Sequence, residues 1–380
     1  MLSVTSSVSH KGGPGLCPGL PFSLLMVLLF PLAVAAAPMG PSVSLPAADA
    51  VILQMEESGQ SAPAQAVMSA EDLVNQVRIH IEHSRATGSP RPLGLAQGLL
   101  ERLPQAQWTG DVYLMRATVL QRLHRFDEAE ADLNKVLQQQ PDNAQAWLTR
   151  YSIALVRDDL ETADRACQYL RQYRPGLLAE SCTQEVASYA EQPEQAVSKL
   201  SRALEVASGA HPVERDYALV TLAVMASRLH LPEAGTYWQQ SLLQDPDDLY
   251  RRARYADWLL DQRDPETVVK ITQGYEPIDT LAVLRAIALK RTGHPDADAL
   301  SQDLEQRFAE ARWRGEFLHQ WEYARFMLDV KNEPDAAFMA ARENWKTQRA
   351  GPDRELLIRA AAAAGQPSGL NVSSDDEDML

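Results

Sequence analysis

Cysteine is scarce in this chain, with three in 380 residues, so cross-links cannot be what frames its fold. Histidine is also thin at eight, and no His-Glu-x-x-His spacing occurs. There is no Gly-x-Ser-x-Gly nucleophile turn and no glycine-rich phosphate loop. Together these absences leave no recognisable catalytic motif. Sustained alternation of apolar and polar residues is missing from the body of the chain, which removes the sheet-based classes. Basic residues are outnumbered, 36 Lys and Arg against 51 Asp and Glu, for a net charge of −15. An acidic body repels phosphate backbones, which argues against nucleic acid as the main partner and favours a basic ligand or patch. Part of that charge is the C-terminal run Asp375, Asp376, Glu377 and Asp378.

Long hydrophobic segments are also lacking. The apolar run Phe22 to Ala37 is short for a spanning helix and carries Pro31 in its middle. It follows a polar, glycine-rich start with Lys11. It closes on Ala33-Val34-Ala35 or Ala35-Ala36-Ala37, small residues that suit a signal peptidase. Residues 1–37 are therefore read as a signal peptide, with the protein in the periplasm or secreted and no membrane insertion after cleavage. Retention as an N-terminal membrane anchor is the alternative. Cys17 precedes the apolar run, whereas a lipidated cysteine would follow it. Residues 38–70, with Pro38, Pro41, Pro46 and Pro63, read as a disordered linker.

What is present is a helical pattern with a period. From Ser69-Ala70-Glu71-Asp72, a cap with acids in its first turn, Leu73, Val77 and Ile81 run at i, i+4, i+8. Tyr113, Ala129 and Pro141 are followed by Trp147, Ala163 and Pro175, each displaced by 34 residues. The same inner spacing returns at Ala234 and Pro246. Looser units follow to a last apolar stretch, Leu356 to Ala364, and residues 365–380 read as a disordered acidic tail.

An early aromatic, a small residue mid-unit and a closing proline at a period of 34 resemble the tetratricopeptide repeat. The likeness covers residues 71–364 and is specific at 110–143, 144–177 and 215–248. Together with the export segment, the chain resembles the exported tetratricopeptide proteins of bacteria. The resemblance implies an all-α fold, a right-handed alpha-alpha superhelix, whose first helices line a concave groove that binds a peptide or partner protein. It implies no chemistry and no cofactor. One subgroup grips a C-terminal carboxylate with Lys, Asn and Arg; the corresponding stations here read Leu114, Thr118, Leu148 and Ser152, so that clamp is absent.

In the family's frame the groove takes positions two, five, nine and twelve of each first helix. These are Asp111, Leu114, Thr118 and Gln121, then Gln145, Leu148, Ser152 and Leu155, then Asp216, Leu219 and Ala223, and finally Tyr250, Ala253, Asp257 and Leu260. An error of one residue in the frame would exchange these with residues buried between units. Their mostly apolar character suits an apolar peptide or helix. The frame also places Cys167 midway along one second helix and Cys182 early in the next first helix. They either form a disulfide or remain two buried thiols at different heights.

His80 and His83, at helical spacing around Glu82, are too few to hold a metal, and surface histidines are the plainer reading. His124, His230 and His294 recur near the turn between paired helices, where a polar residue of adaptable backbone belongs. The leading function is a non-enzymatic interaction scaffold of the bacterial envelope. The alternatives are an assembly or maturation factor for an exported or membrane complex, metal-containing in one version, and a hydrolase with an unrecognised site.

Overall fold

The computed structural model describes residues 69–315 and 320–370. The export segment, the linker up to residue 68 and the acidic run 375–378 lie outside the described residues. Every regular element among those described is helical, seventeen α-helices in chain order. The first eight are α1 (Ala70–Thr87), α2 (Arg91–Leu100), α3 (Gly110–Arg122), α4 (Phe126–Gln139), α5 (Ala144–Val156), α6 (Leu160–Tyr173), α7 (Leu177–Ala187) and α8 (Pro193–Val206). There follow α9 (Pro212–Arg228), α10 (Ala234–Gln244), α11 (Leu249–Asp261), α12 (Pro265–Ile271), α13 (Asp279–Thr292) and α14 (Ala297–Trp313). The last are α15 (Gln320–Arg325), continued by a wider helical turn over Phe326–Lys331, then α16 (Pro334–Asn344) and α17 (Gly351–Ala363). They pair as antiparallel hairpins in an all-α superhelical stack, with α17 unpaired at the end.

Local chemistry sets these boundaries. Ser69, Asn143, Asp159, Asp248 and Asp264 each cap a helix by accepting a hydrogen bond from a backbone N–H inside the first turn. Proline opens α8, α9, α12 and α16, where its missing N–H is no loss. His124, Asp158, His230 and Arg263 leave their first helices in the left-handed conformation, with φ between 52° and 59°. Gly293 does the same at φ 65° with His294 next in line. The recurrence of histidine near these turns thus reports a position in the repeat.

Helices of one hairpin cross at small residues. Ala117, Ala129 and Ala163 are completely buried, so the helix axes come close and Leu120, Leu133 and Val136 fill the space beside them. Tyr151, in a station where a small residue is usual, is accommodated by pointing its ring toward α7. Cys167 on α6 and Cys182 on α7 have Cα atoms 5.6 Å apart and are joined as a disulfide, which ties one hairpin to the next.

The stack curls far enough to touch itself. A Cβ on Gly88, after α1, would lie 2.9 Å from Ile278 Cγ2 and 3.5 Å from Leu249 Cδ1, so the first hairpin rests on the sixth and seventh. Gly88 has φ 67°, and its missing side chain serves both the turn and that close approach. Farther along, Arg349 N–H donates to Val156 O at 2.6 Å, bringing the α16–α17 connection onto the end of α5. Helix α13, covered on all sides, buries every residue from Leu281 to Leu289.

Candidate functional site: the wall of first helices

First helices of successive hairpins stand side by side and share one wall. On α5, the buried Tyr151 donates its hydroxyl hydrogen to Glu185 Oε2 on α7. Burial pushes the Glu185 carboxyl above its usual range, against the lowering effects of the Tyr151 hydrogen bond and the charge of Arg228. The phenols of Tyr151, Tyr189, Tyr217 and Tyr250 are all pushed up, first by burial, and the negative charge of Glu185 adds to it at each. The Tyr151–Glu185 hydrogen bond thus joins α5 to α7, and the charge of Glu185 is felt by Tyr189 just beyond α7, by Tyr217 on α9 and by Tyr250 on α11. Tyr250 is 54% exposed even so.

The cations nearby are already engaged. Arg228 donates to the carbonyl and the hydroxyl of Ser188, and its guanidinium lies 3.9 Å over the Tyr189 ring. On α11, Tyr250, Arg254, Asp257 and Asp261 follow at i, i+4, i+7 and i+11, one stripe along the helix. Arg325, only 5% exposed, holds Asp257 Oδ1 at 2.8 Å and Asp329 Oδ2 at 2.7 Å. Although burial acts the other way, Arg325 and Arg254 hold Asp257 below the usual carboxylate range. Arg359 on α17 pairs with Asp329 from the far side. Asp261 makes no ion pair among the described residues, and its carboxyl is pushed up to about 7 by burial and by the charges of Asp257 and Glu355.

The groove residues expected from the sequence fare unevenly. Asp111, Gln145 and Tyr250 are exposed, and Thr118, Gln121, Leu148, Ser152, Leu155, Asp216 and Asp257 are partly so. Thr118 and Ser152 turn their hydroxyls back onto their own helices, at Leu114 O and Leu148 O. Asp216 is held by Arg251 in an ion pair. Leu114 and Leu219 do not line the groove: at 6% and 4% exposure they are buried. Leu114 belongs to the core with Tyr113, Ala117 and Leu133, and Leu219 faces Leu204, Gln240 and Gln244 of α8 and α10. Ala223, Ala253 and Leu260 are buried as well. The physical reason is rotation: one residue turns a helix by about 100°, so a frame shifted by one exchanges groove for core. Sequence reasoning missed Glu185, Tyr217, Arg228, Arg254, Asp261 and Arg325. The stripe on α11 was the available signal, since polar residues there interrupt a helix that buries Ala253, Tyr255, Ala256, Leu259 and Leu260.

His80 and His83 stand on α1, and no group of three or more candidate metal ligands is found among the described residues. No described helix is long and apolar enough to cross a membrane.

Helices α3 and α5 begin 34 residues apart, as do α4 and α6, and small buried stations recur in register within them. In fold, the described residues form an all-α stack of helix pairs whose 34-residue spacing resembles the tetratricopeptide repeat. No protein-family model matches its sequence, and no curated protein sequence is detectably similar to it. Solved structures similar to the chain include PilW, described as a widely conserved type IV pilus biogenesis factor. It has 16% identity and a TM-score of 0.41, over 55% of this chain and 96% of that one. A tetratricopeptide repeat protein from Parabacteroides merdae has 13% identity and a TM-score of 0.37, over 76% of this chain and 98% of that one. The tetratricopeptide domain of P58(IPK) has 15% identity and a TM-score of 0.23, over 77% and 98% respectively.

Proposed function

We propose that this protein is a non-enzymatic scaffold of the bacterial envelope that binds a peptide or partner protein in the groove of its solenoid. Stacked helix pairs of this kind form the extended concave surfaces that solenoid proteins use for binding. The observation that carries the reading is Tyr250. A large aromatic at the start of a first helix, 54% exposed and beside Arg254, is the type of side chain that dominates protein recognition. The envelope location rests on the export segment in the sequence, and an oxidising compartment suits the Cys167–Cys182 bridge.

The test is capture from a solubilised envelope extract with the full chain, beside a Tyr250→Ala variant. Tyr250 is exposed enough that its truncation leaves the fold intact, so a partner held by the groove is retained by the native chain and lost by the variant. Equal capture by both, or none above bare resin, defeats the reading. Fractionation of the producing cells checks the compartment independently.

A further inference from the structure

Where the hairpins α7–α8 and α9–α10 meet, a cavity of about 360 Å³ opens between α8, α9 and α10. Its lining includes Leu204, Leu219, Gln240, Gln244 and Arg215 and, among the described residues, no carboxylate. Arg215 is half-buried. Its Nη1 donates to Leu204 O at 3.0 Å and to Ala207 O at 2.7 Å, both carbonyls at the end of α8. These bonds fix the plane of the guanidinium. A helix end offers only about half a negative charge, so the cation is positioned without being fully neutralised. Nε and Nη2 donate to nothing among the described residues and are not enclosed. Arg251 and Arg325 have carboxylate partners, whereas Arg215 has none among the described residues. The acids on either side of it in sequence are taken elsewhere, Glu214 by Arg174 and Asp216 by Arg251.

We propose that this cavity binds a small amphipathic carboxylate, a free acid with a short aliphatic body, its two oxygens on Nε and Nη2 of Arg215 and its body against Leu204 and Leu219. An arginine whose Nη1 is spent still presents its Nε–Nη2 edge. Two parallel N–H groups along that edge match the two oxygens of a carboxylate. Gln240 and Gln244, one turn apart on α10, add amide N–H groups without adding charge. Leu204 and Leu219 call for an apolar body, as does Leu243, which is 80% exposed beside the two glutamines on α10. The volume lies near the lower end of the roughly 300–1,000 Å³ of small-molecule sites, which suits a compact acid better than a protein segment. The net charge of −15 repels anions at a distance, so an acid retained here is held by these contacts and not by diffuse attraction. The site stands apart from the Tyr250 groove and does not depend on a partner bound there.

The test is isothermal titration calorimetry of the full chain with hexanoate. Hexanoate binds. Acetate, which keeps the head and lacks the body, and hexanamide, which keeps the body and lacks the charge, each bind more weakly by about tenfold or more. Gln240→Glu, at an exposed position, sets a like charge against the ligand without touching the bonds between Arg215 and α8, and weakens hexanoate binding by about tenfold or more. Gln195→Glu makes the same change of charge beside a different opening and leaves binding unchanged. Arg215→Lys keeps the charge, loses the two-pronged edge and weakens binding too, with circular dichroism checking the helices. Should that variant unfold, the comparison of Gln240→Glu with Gln195→Glu decides. The proposal is overturned by a native chain that ignores hexanoate up to on the order of 10 mM, by Gln240→Glu binding as tightly as Gln195→Glu, or by acetate binding as tightly as hexanoate. A capped leucine dipeptide with a free C-terminal carboxylate, if held more tightly than hexanoate, would also overturn it and give the site to the end of a protein chain.

Discussion

Exchanging a helical glycine for alanine ordinarily stabilises a helix by about 0.5–1 kcal/mol, since alanine has less backbone freedom to lose. Two helices of this protein should answer in opposite directions. At Gly94 and Gly98 on α2 an added Cβ meets nothing within 4 Å. Gly94→Ala and Gly98→Ala should each gain the full helix term. At Gly235, near the start of α10, the same Cβ would sit 2.5 Å from Trp258 Cη2 and 2.9 Å from its Cζ3. Carbon atoms in contact need roughly 3.5–4 Å, so the ring must retreat by about 1 Å. It has little room to do so. Trp258 stacks on Tyr255 at 6.0 Å, and Tyr255 is buried with its hydroxyl accepting from Gln239 Nε2 at 2.9 Å. Overpacking of this kind costs about 1–3 kcal/mol, which exceeds the helix gain and leaves a net loss of about 1–2 kcal/mol. Urea unfolding followed by far-ultraviolet circular dichroism reads both signs as shifts of the midpoint. Trp258→Phe deletes the clashing atoms, and in that background Gly235→Ala should recover. A Gly235→Ala midpoint at or above the native one would show that Trp258 does not press on α10.

Arg325→Met should destabilise by about 2–3 kcal/mol, because it removes the buried cation shared by Asp257 and Asp329 and leaves each with one remaining arginine, Arg254 or Arg359, whereas Arg165→Met, which loses only the exposed pair with Glu161, should stay within about 1 kcal/mol; equal midpoints for the two would refute the Arg325 network. Burial raises the Asp353 carboxyl to about 6, so the folded chain holds that proton more tightly than the unfolded one. Its stabilising share is complete below about pH 4 and declines as pH rises through about 6, and this slope should vanish in Asp353→Asn; identical pH profiles would count against it. Cys167 and Cys182 of the purified native protein should resist alkylation under non-reducing denaturation and react after reduction. Replacing both by alanine should lower stability by about 3 kcal/mol on the chain-entropy account, and two labelled cysteines without reduction would disprove the bond.

The architecture was legible because the residues that set it are rare in kind. Ala129 and Ala163 sit where no larger side chain fits, and Pro141 and Pro175 stand just beyond the ends of α4 and α6, so both leave marks at a fixed interval. The groove was less legible. A first helix of a solenoid touches its own partner, the previous hairpin and the next, and an apolar residue fits any of these contacts. Leu114 and Leu219 look the same in sequence whether they face core or ligand, and here they face core. Glu185 and Arg228 carried no periodic mark at all. Their meaning comes from Tyr151 and Ser188, residues that only the stacking brings beside them.

A solenoid in which each repeat touches only its neighbours behaves like an open spring: pulled by its ends it lengthens smoothly, with the strain spread along the coil. This one has its coils pressed together. Gly88 rests against Leu249 and Ile278, and the α16–α17 connection is fastened to the end of α5. Tension applied along the axis therefore meets a stiff body first, then a yield point as these clasps part, and only afterwards the soft extension of the free coil. That makes it a strut at low load and a tether at high load.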